Sequence, residues 1–215
     1  MPDSALAPDP AEPSAAGPET EGPETEVLGP PAGAERDPEG SARELCLRLL
    51  TVRPRTRAEL ADAMLGRGLP ETAVAAVLAR FAEVGLIDDA AFARAWVESR
   101  HHGKGLARRA LSAELKRRGV DGQDISAAVS ALDPAEEMAT ARRLVAKGLA
   151  ASRGKPLPAR MRRLVGLLAR KGYPAPVAYR VVREALEQEG LDLAGAAPDP
   201  DDPALTWIDD ESEAG

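Results

Sequence analysis

The side chains best suited to chemistry in this chain are arginines and lysines on predicted helices. Arg109 and Lys116 are seven residues apart and share one helical face, while Leu111 and Leu115 occupy the opposite face. Arginine donates paired hydrogen bonds to carboxylate or phosphate, and lysine supplies a compact positive charge. We expect seven residues to contact phosphates or carboxylates of a partner: Lys104, Arg108, Arg109, Lys116, Arg160, Arg163 and Arg170.

Other reactive residues form no recognisable catalytic or metal-binding set. His101 and His102 are adjacent and point to different sides of a helix with no third ligand nearby, so we expect no metal. The following Gly103-Lys104-Gly105 is not a nucleotide-binding loop, because Glu98 stands where the upstream glycine belongs and no Ser or Thr follows the lysine. The sequence therefore predicts neither an enzyme nor a cofactor.

The single cysteine, Cys46, stands between Leu45 and Leu49 on a predicted helix, which favours a buried thiol over a nucleophile. One cysteine also excludes a disulfide framework. The chain has no apolar run of membrane-spanning length, and its first residues lack the basic and apolar segments of a secretory signal. We expect a cytoplasmic protein.

Charge is unevenly distributed along the 215 residues, whose net charge is −7. Residues 1–40 contain ten acidic residues and one base, and residues 191–215 contain eight acidic residues and no base. Both ends are rich in Pro, Ala, Gly and acidic residues, a composition typical of disorder. Residues 41–190 hold 17 acidic and 27 basic residues, a net charge of +10, which favours a polyanionic or acidic partner. The tails could fold back and mask this basic body.

The basic body contains a threefold repeat. Gly68, Gly119 and Gly172 are 51 and 53 residues apart, each follows a basic residue, and a leucine stands eight positions before each. Matched apolar positions also follow each glycine, so one helical unit is used three times. Glycine at these points predicts helix ends. The fold class predicted is all-α: an elongated tandem array of three three-helix repeats (41–87, 88–133 and 134–190) between disordered acidic tails (1–40 and 191–215).

Residues 85–100 contain Leu-Ile-Asp-Asp followed by Phe-Ala-Arg, and residues 105–120 contain Glu-Leu-Lys followed by Gly-Val. These two segments resemble the RecX family of recombinase regulators. The resemblance covers roughly residues 41–190 and implies a small helical protein that lies in the groove of the RecA–single-stranded-DNA filament and limits strand exchange, ATP hydrolysis and filament growth. We expect a monomer, and we expect its DNA contacts to be largely independent of sequence because few exposed aromatic residues are available for base stacking.

Within the shared motif, Phe92, Trp96 and Val97 lie on one helical face and are expected in the core, while Asp88 and Asp89 are expected to cap helices.

An alternative function is a helix-turn-helix transcriptional regulator, because residues 56–87 read like that motif. A winged version requires two strands after Ile87, whereas Asp88 predicts the start of another helix. A nuclease or nucleotide hydrolase is a third, weaker alternative.

Overall fold

The structure is a computed structural model that describes residues 37–190, and every regular element in this range is an α-helix. The predicted all-α fold is thereby confirmed. The helices of this range, in chain order, are α1 (Pro38–Val52), α2 (Arg57–Leu65), α3 (Glu71–Glu83), α4 (Asp89–Lys104), α5 (Arg108–Arg117), α6 (Gly122–Ser130), α7 (Pro134–Ala150), α8 (Leu157–Arg170) and α9 (Ala175–Gln188).

The predicted acidic tails lie outside the described residues, except for residues 37–40. There α1 begins at Pro38, earlier than the expected tail end at residue 40. The early start has a local cause: the Asp37 side chain accepts a hydrogen bond of 3.1 Å from the backbone N–H of Glu39. Proline in the first turn costs the helix nothing, because its missing N–H would have no partner there.

The helices pack as three groups of three: α1–α3, α4–α6 and α7–α9. Each group buries its own apolar cluster, centred on Leu60 in the first, Leu111 in the second and Leu164 in the third. These leucines are fully buried and stand at the matched position of the sequence repeat. The three three-helix repeats are therefore confirmed, while the residue limits assigned to them stay predictions.

The second helix of each repeat ends at one of the predicted glycines. Gly68, Gly119 and Gly172 have φ of +77°, +73° and +85°, values that L side chains rarely adopt. In each turn the residue after the glycine donates its N–H, at 3.2–3.3 Å, to the carbonyl five residues earlier. This closing bond satisfies a helix carbonyl that would otherwise lack a partner.

Successive repeats meet where the second helix of one begins. At the first junction, between repeats one and two, the Thr56 hydroxyl donates to the carbonyl of Arg118 at 2.6 Å. At the second junction, between repeats two and three, the backbone N–H of Ala107 donates to the carbonyl of Lys171 at 2.8 Å. Arg118 and Lys171 are the basic residues that precede the repeat glycines. The accepting carbonyl is therefore at the equivalent repeat position in both junctions.

An acidic side chain from the following repeat completes each junction. Asp89 accepts from the backbone N–H of Arg57 at 2.9 Å, and Glu137 accepts from the backbone N–H of Arg108 at 2.9 Å. Both donors are the first residue of a helix, where N–H groups lack helical partners and a negative charge is favourable. Asp89 is thus a cap, as predicted, but of α2. Asp88 caps its own helix α4, accepting from Ala91 at 2.7 Å.

Close packing of glycine on alanine holds the repeats together at both junctions. A Cβ added to Gly119 would lie 2.3 Å from the Cβ of Ala58, and one added to Gly172 would lie 2.5 Å from the backbone nitrogen of Ala110. The equivalent Gly68 in the first repeat faces open space. Two of the three repeat glycines are therefore required for contact as well as for φ.

Candidate nucleic-acid interface

Two adjoining pockets with basic linings lie near the second junction, the first at the junction itself and the second within repeat three. The first, of about 620 Å³, lies between the end of α4 and α7; the second, of about 590 Å³, lies between α7 and α8. Both linings include Leu144, Lys147 and Lys171, so the pockets adjoin. We call them together the basic groove. Its lining comprises His102, Gly103, Lys104, Gly105, Thr140, Arg143, Leu144, Lys147, Gly148, Arg163, Leu164, Leu167, Arg170 and Lys171.

Three helices bring the cations of the basic groove together. Lys104 ends α4, where Gly105 turns the chain with φ of +65°. Arg143 and Lys147 are four residues apart on α7 and share one face of that helix. Arg163 and Arg170 are seven residues apart on α8 and share one face of that helix, which lines the second pocket. Among residues 37–190, no aspartate or glutamate lines either pocket.

A hydrogen-bond relay through the buried residues Thr140 and His101 orients the exposed Arg143 at the groove. Its Nη2 donates to the hydroxyl of Thr140 at 2.8 Å, and that hydroxyl lies 3.1 Å from Nε2 of the fully buried His101. Nδ1 of His101 lies 2.9 Å from the carbonyl of Leu106. Since a carbonyl only accepts, we assign the His101 proton to Nδ1, so that Nε2 accepts from Thr140. Every member of the relay then has a compatible partner.

Lys171 and Tyr173 tie the third repeat to the end of α4. The Lys171 Nζ donates to the carbonyl of Lys104 at 2.8 Å, and the Tyr173 hydroxyl donates to the carbonyl of Gly105 at 3.3 Å. Burial, reinforced by the nearby charge of Glu137, raises the pKa of Tyr173 to about 12. The phenol is therefore neutral, and a donor, at ordinary pH.

Five of the seven predicted contact residues are on the surface, but only three lie in the basic groove. Lys104, Arg163 and Arg170 line it. Arg109 is exposed and lines a separate pocket on the same junction, and Lys116 is exposed on α5. The structure thus gathers part of the expected site into one place and disperses the rest.

Arg160 is a buried structural residue, and this placement differs from the partner contact that the sequence predicts for it. Only 7% of the residue is exposed, its Nη2 forms an ion pair with Glu189, and its Nε donates to the Ser152 hydroxyl at 3.3 Å. A charge withdrawn from water must be paired internally. Arg160 fastens the turn after α7 to the end of α9 and is not available to a partner.

Arg108 is likewise engaged inside the molecule. Its Nε donates to the carbonyl of Val129 at 3.1 Å, its Nη2 donates to the carbonyl of Leu132, and its Nη1 pairs with Glu137 at 3.4 Å. Both carbonyls stand near the end of α6, where helix carbonyls lack helical partners. Arg108 therefore closes that helix end, while its side chain stays partly exposed.

Sequence reasoning missed three cations of the groove: Arg143, Lys147 and Lys171. The spacing of Arg143 and Lys147 shows that they share a face, and Lys171 precedes a repeat glycine. Neither pattern indicates that this face of α7 lies beside the end of α4 and beside α8. The packing of the repeats at the second junction places these three helices side by side.

The motif aromatics lie at the edge of the second repeat. Val97 is buried as predicted, but Phe92 and Trp96 are only partly buried. Two guanidinium groups contact the Trp96 ring, with the Cζ of Arg100 at 4.2 Å and that of Arg118 at 3.8 Å from its centre. Such cation–π contacts stabilise a half-exposed indole.

Arg118, which contacts the Trp96 ring, also contacts the first repeat. The sequence Thr56-Arg-Ala-Glu59 predicts a capping box at the start of α2, in which the Glu59 carboxylate would accept from the backbone N–H of Thr56. Arg118 instead forms an ion pair with this carboxylate at the first junction. The Thr56 half of that capping box is present, because its hydroxyl accepts from the N–H of Glu59 at 3.1 Å.

Two residue types capable of redox or metal chemistry, cysteine and histidine, occur at Cys46 and His102. Cys46 is buried as predicted, and burial raises the pKa of its thiol. His102 lies on the surface, 3.0 Å from Glu136. Within residues 37–190, no group of three or more potential metal ligands occurs, and no helix there is long and apolar enough to span a membrane.

Comparison with known proteins places this architecture in a family. The model of the RecX first three-helix domain matches residues 42–81, and that of the RecX second three-helix domain matches residues 88–129. The regulatory protein RecX of Thermobifida fusca is 58% identical over 173 residues, covering 80% of this chain and 94% of that protein. The chain belongs to the RecX family. The regulatory protein RecX of Streptomyces lividans is 60% identical over 157 residues, covering 73% of this chain and 84% of that protein.

A solved RecX structure has the same fold. The crystal structure of RecX from Lactobacillus salivarius superposes with a TM-score of 0.64 at 16% identity, covering 69% of this chain and 96% of that one. Both sequence relatives are named regulatory proteins. The basic groove therefore lies on a chain that has the RecX fold.

Proposed function

We propose that this RecX protein binds the filament that the RecA recombinase forms on single-stranded DNA and inhibits its recombinase and ATPase activities by occupying the filament groove. The observation that carries the proposal is the basic groove, in which six lysines and arginines converge on a RecX fold. A nucleoprotein filament presents phosphates and carboxylates together, and both are ligands for these side chains. Inhibition by occupancy requires no catalytic group.

The proposal extends to how the protein meets its partner. Lys104, Arg163 and Arg170 remain candidate contacts from the sequence, and Arg143, Lys147 and Lys171 join them. Contact with single-stranded DNA is largely independent of base sequence, because phosphate contacts carry no sequence information directly. The protein acts as a monomer in the cytoplasm.

A titration of RecA tests the proposal. The measurement is the rate of ATP hydrolysis by RecA on single-stranded DNA, with this protein added from substoichiometric to excess amounts. We expect a dose-dependent fall that saturates once the filament groove is filled. An unchanged rate at every ratio would contradict the proposal. A strand-exchange assay with the same concentrations checks that the recombinase activity falls together with ATP hydrolysis.

The transcriptional-regulator alternative receives no support from the first repeat. In the helix-turn-helix reading α3 would enter the major groove. Its one arginine, Arg80, is paired with Glu83 at 3.3 Å, and its other exposed positions are Glu71, Thr72, Ala75, Ala76, Ala79 and Ala82. Such a face offers little to base edges, which arginine, lysine, asparagine and glutamine read best. Within the described chain, helix α4 also follows where a wing would require strands.

A further inference from the structure

We propose that a pocket at the start of α9 receives the side chain of Trp207, which belongs to the acidic C-terminal segment (residues 191–215) of this same chain. The pocket has a volume of about 400 Å³ and lies where the beginnings of α5, α7 and α9 meet. We call it the proline pocket, after Pro134 and Pro174 in its lining. Trp207 and its neighbours in sequence lie outside the described residues.

The lining of the proline pocket is mostly apolar and suits an aromatic side chain. Four of its side chains present apolar surface: Pro134, Met138, Pro174 and Val177. The ring of Tyr173 joins them, and its hydroxyl is already engaged with the carbonyl of Gly105 at 3.3 Å. A packed tryptophan buries roughly 150–250 Å². No other residue type in the C-terminal segment offers as much apolar area to such a pocket.

The charged groups of the proline pocket are of the same kinds as those that hold the other tryptophan of this chain. Two arginines contact the Trp96 ring, and its indole Nε1 donates to the Glu114 carboxylate at 2.8 Å. The proline pocket also contains two arginines and a carboxylate: Arg108, Arg109 and Glu137. The chain has two tryptophans, and no tryptophan of the described residues lines this pocket. Trp207 is therefore the residue that this set of groups fits.

Glu137 can accept the indole N–H of a docked tryptophan. Its carboxylate accepts from the backbone N–H of Arg108 at 2.9 Å and pairs with the guanidinium of the same residue at 3.4 Å. A carboxylate has about four acceptor sites, so these two contacts leave capacity for one more donor. A buried indole N–H requires such a partner.

The C-terminal segment is long enough to reach the proline pocket. The pocket lies at the start of α9, and the segment follows the other end of that helix, where Gln188 is 11 residues beyond Val177. At about 1.5 Å per helical residue, the return distance is roughly 17 Å. Trp207 follows Gly190 by 17 residues. A flexible chain of that length has an average end-to-end distance of roughly 22 Å, and tethering favours binding most when the two lengths are similar.

Charge favours the same docking. Residues 191–215 contain eight acidic residues and no base, whereas repeat three (134–190) has five acidic and twelve basic residues, a net charge of +7. Acidic residues stand on both sides of Trp207, at Asp202 before it and at Asp209 and Asp210 after it. Docking of Trp207 holds these carboxylates over repeat three, where they compete with any other acidic partner. The docked segment therefore weakens the filament contact, a consequence that rests on the proposed function.

The test is fluorine NMR of the full-length chain labelled with 5-fluorotryptophan. The two tryptophans give two resonances, and the Trp207→Phe variant identifies the one that belongs to Trp207. The resonance of Trp96 serves as an internal control for the fold of repeat two. A labelled synthetic peptide of residues 199–215 gives the undocked position. The Trp207 resonance of the wild type should be displaced from that position by the same amount at every protein concentration.

Two pairs of variants test the pocket itself. Met138→Glu places a carboxylate on the apolar wall, and its control Leu157→Glu adds the same charge at another partly buried position of the same cluster, outside the pocket. Arg109→Glu reverses an exposed charge of the pocket, and its control Arg162→Glu reverses an exposed charge on α8. Circular dichroism verifies that all four variants keep their helices. If Met138→Glu does not fold, the exposed pair decides.

The size of the expected shifts follows from the tether. Its effective concentration is on the order of 1 mM, so a segment with a Kd of about 0.1 mM for the pocket is docked about nine-tenths of the time. We expect Met138→Glu to move the Trp207 resonance nearly to the peptide position. Arg109→Glu should weaken docking about tenfold and so lower the docked fraction to about one half. Both controls should keep the wild-type position.

Three results would overturn the proposal. The first is a Trp207 resonance at the same position in the wild type and in the peptide. The second is a Trp207 resonance that stays at the wild-type position in every folded pocket variant. The third is a displacement that grows with protein concentration, which would mean that the segment docks on a second copy of the chain.

The rate of ATP hydrolysis by RecA separates this proposal from the proposed function. Where both hold, Trp207→Ala should inhibit at a several-fold lower concentration than the wild type, because the carboxylates are no longer held over repeat three. If neither protein inhibits while the Trp207 resonance is displaced, the docking stands and the proposed function is wrong. If both inhibit equally and the resonance is at the peptide position, the proposed function stands and the docking is wrong. Equal inhibition with a displaced resonance would overturn only the effect of docking on the filament contact.

Discussion

The two junctions between repeats are built alike in the backbone and differ in their side chains. In each, the carbonyl before a repeat glycine accepts a hydrogen bond from the preceding repeat, the glycine packs on an alanine, and an acidic side chain accepts from the first N–H of a helix. At the first junction Arg118 pairs with Glu59 and stacks on Trp96. At the second, the equivalent Lys171 lines the basic groove.

This difference shows how a repeat protein obtains one special surface. The backbone contacts fix the stacking of repeats and are the same twice, whereas the side chains at equivalent positions either close the junction or leave it open to a ligand. Charge follows the same division: residues 37–87 carry seven acidic and seven basic residues, while residues 134–190 carry five acidic and twelve basic residues. The repeated backbone contacts therefore determine how the repeats stack, and the basic residues particular to the third repeat provide most of the cations of the groove.

The largest effect should come from filling the space at a junction glycine. Gly172→Ala places a Cβ against Ala110, and Gly119→Ala places one against Ala58, each on a backbone with positive φ. We expect each to cost about 3–4 kcal/mol, combining strain with overpacking. Gly68→Ala has positive φ but open space and should cost only about 1 kcal/mol. Urea unfolding followed by circular dichroism measures all three; equal losses would show that the junction contacts contribute nothing.

The second-largest effect is a difference in stability between substitutions of two arginines of α8, both of which the sequence predicts as contact residues. Arg160→Ala leaves the partly buried Glu189 without its partner and should destabilise the protein by about 3 kcal/mol. Arg163→Ala removes an exposed side chain of the groove and should leave the unfolding midpoint almost unchanged. Thermal unfolding of both variants tests this. A stable Arg160→Ala protein would mean that the ion pair is dispensable.

A smaller effect compares the equivalent basic residues of the two junctions. Arg118→Ala removes an ion pair with Glu59 and a cation–π contact with Trp96, and should cost about 2 kcal/mol. Lys171→Ala removes one bond to the Lys104 carbonyl and should cost much less. We expect the reverse order for affinity to oligothymidine, which only Lys171→Ala should lower. Chemical denaturation and anisotropy on the same two variants supply the comparison.

The smallest effect is a loss of folding stability at alkaline pH, caused by the ionisation of Tyr173 at the second junction. The pKa of Tyr173 is raised from 10 to about 12 in the folded protein, so its stabilising effect is complete below pH 10 and lost as pH rises through 12. At pH 11 the loss should reach about 1.4 kcal/mol relative to pH 9. Tyr173→Phe should remove this difference, because phenylalanine does not titrate. Unfolding midpoints at the two pH values measure it, and an identical decline in both proteins would contradict the assignment to Tyr173.

Local patterns were sufficient for the framework of the molecule. The repeat glycines, the buried leucines at matched positions and the caps at Thr56 and Asp88 were all predicted correctly, because periodicity and capping depend on residues within a turn or two of each other. For Glu59 the same reasoning failed. The Glu59 carboxylate forms an ion pair with Arg118, a residue far along the chain, and so does not take the local capping role.

The sequence by itself determined an all-helical, three-repeat protein with a basic body, since helix propensity, apolar period and charge are properties of short segments. Only the tertiary structure decided which cations form a site. Arg160 and Arg163 lie one turn apart, yet one is buried against Glu189 while the other lines the groove beside Lys147. Whether a charge faces solvent or an internal partner depends on which helix packs over it, and that is fixed by contacts between residues remote in sequence.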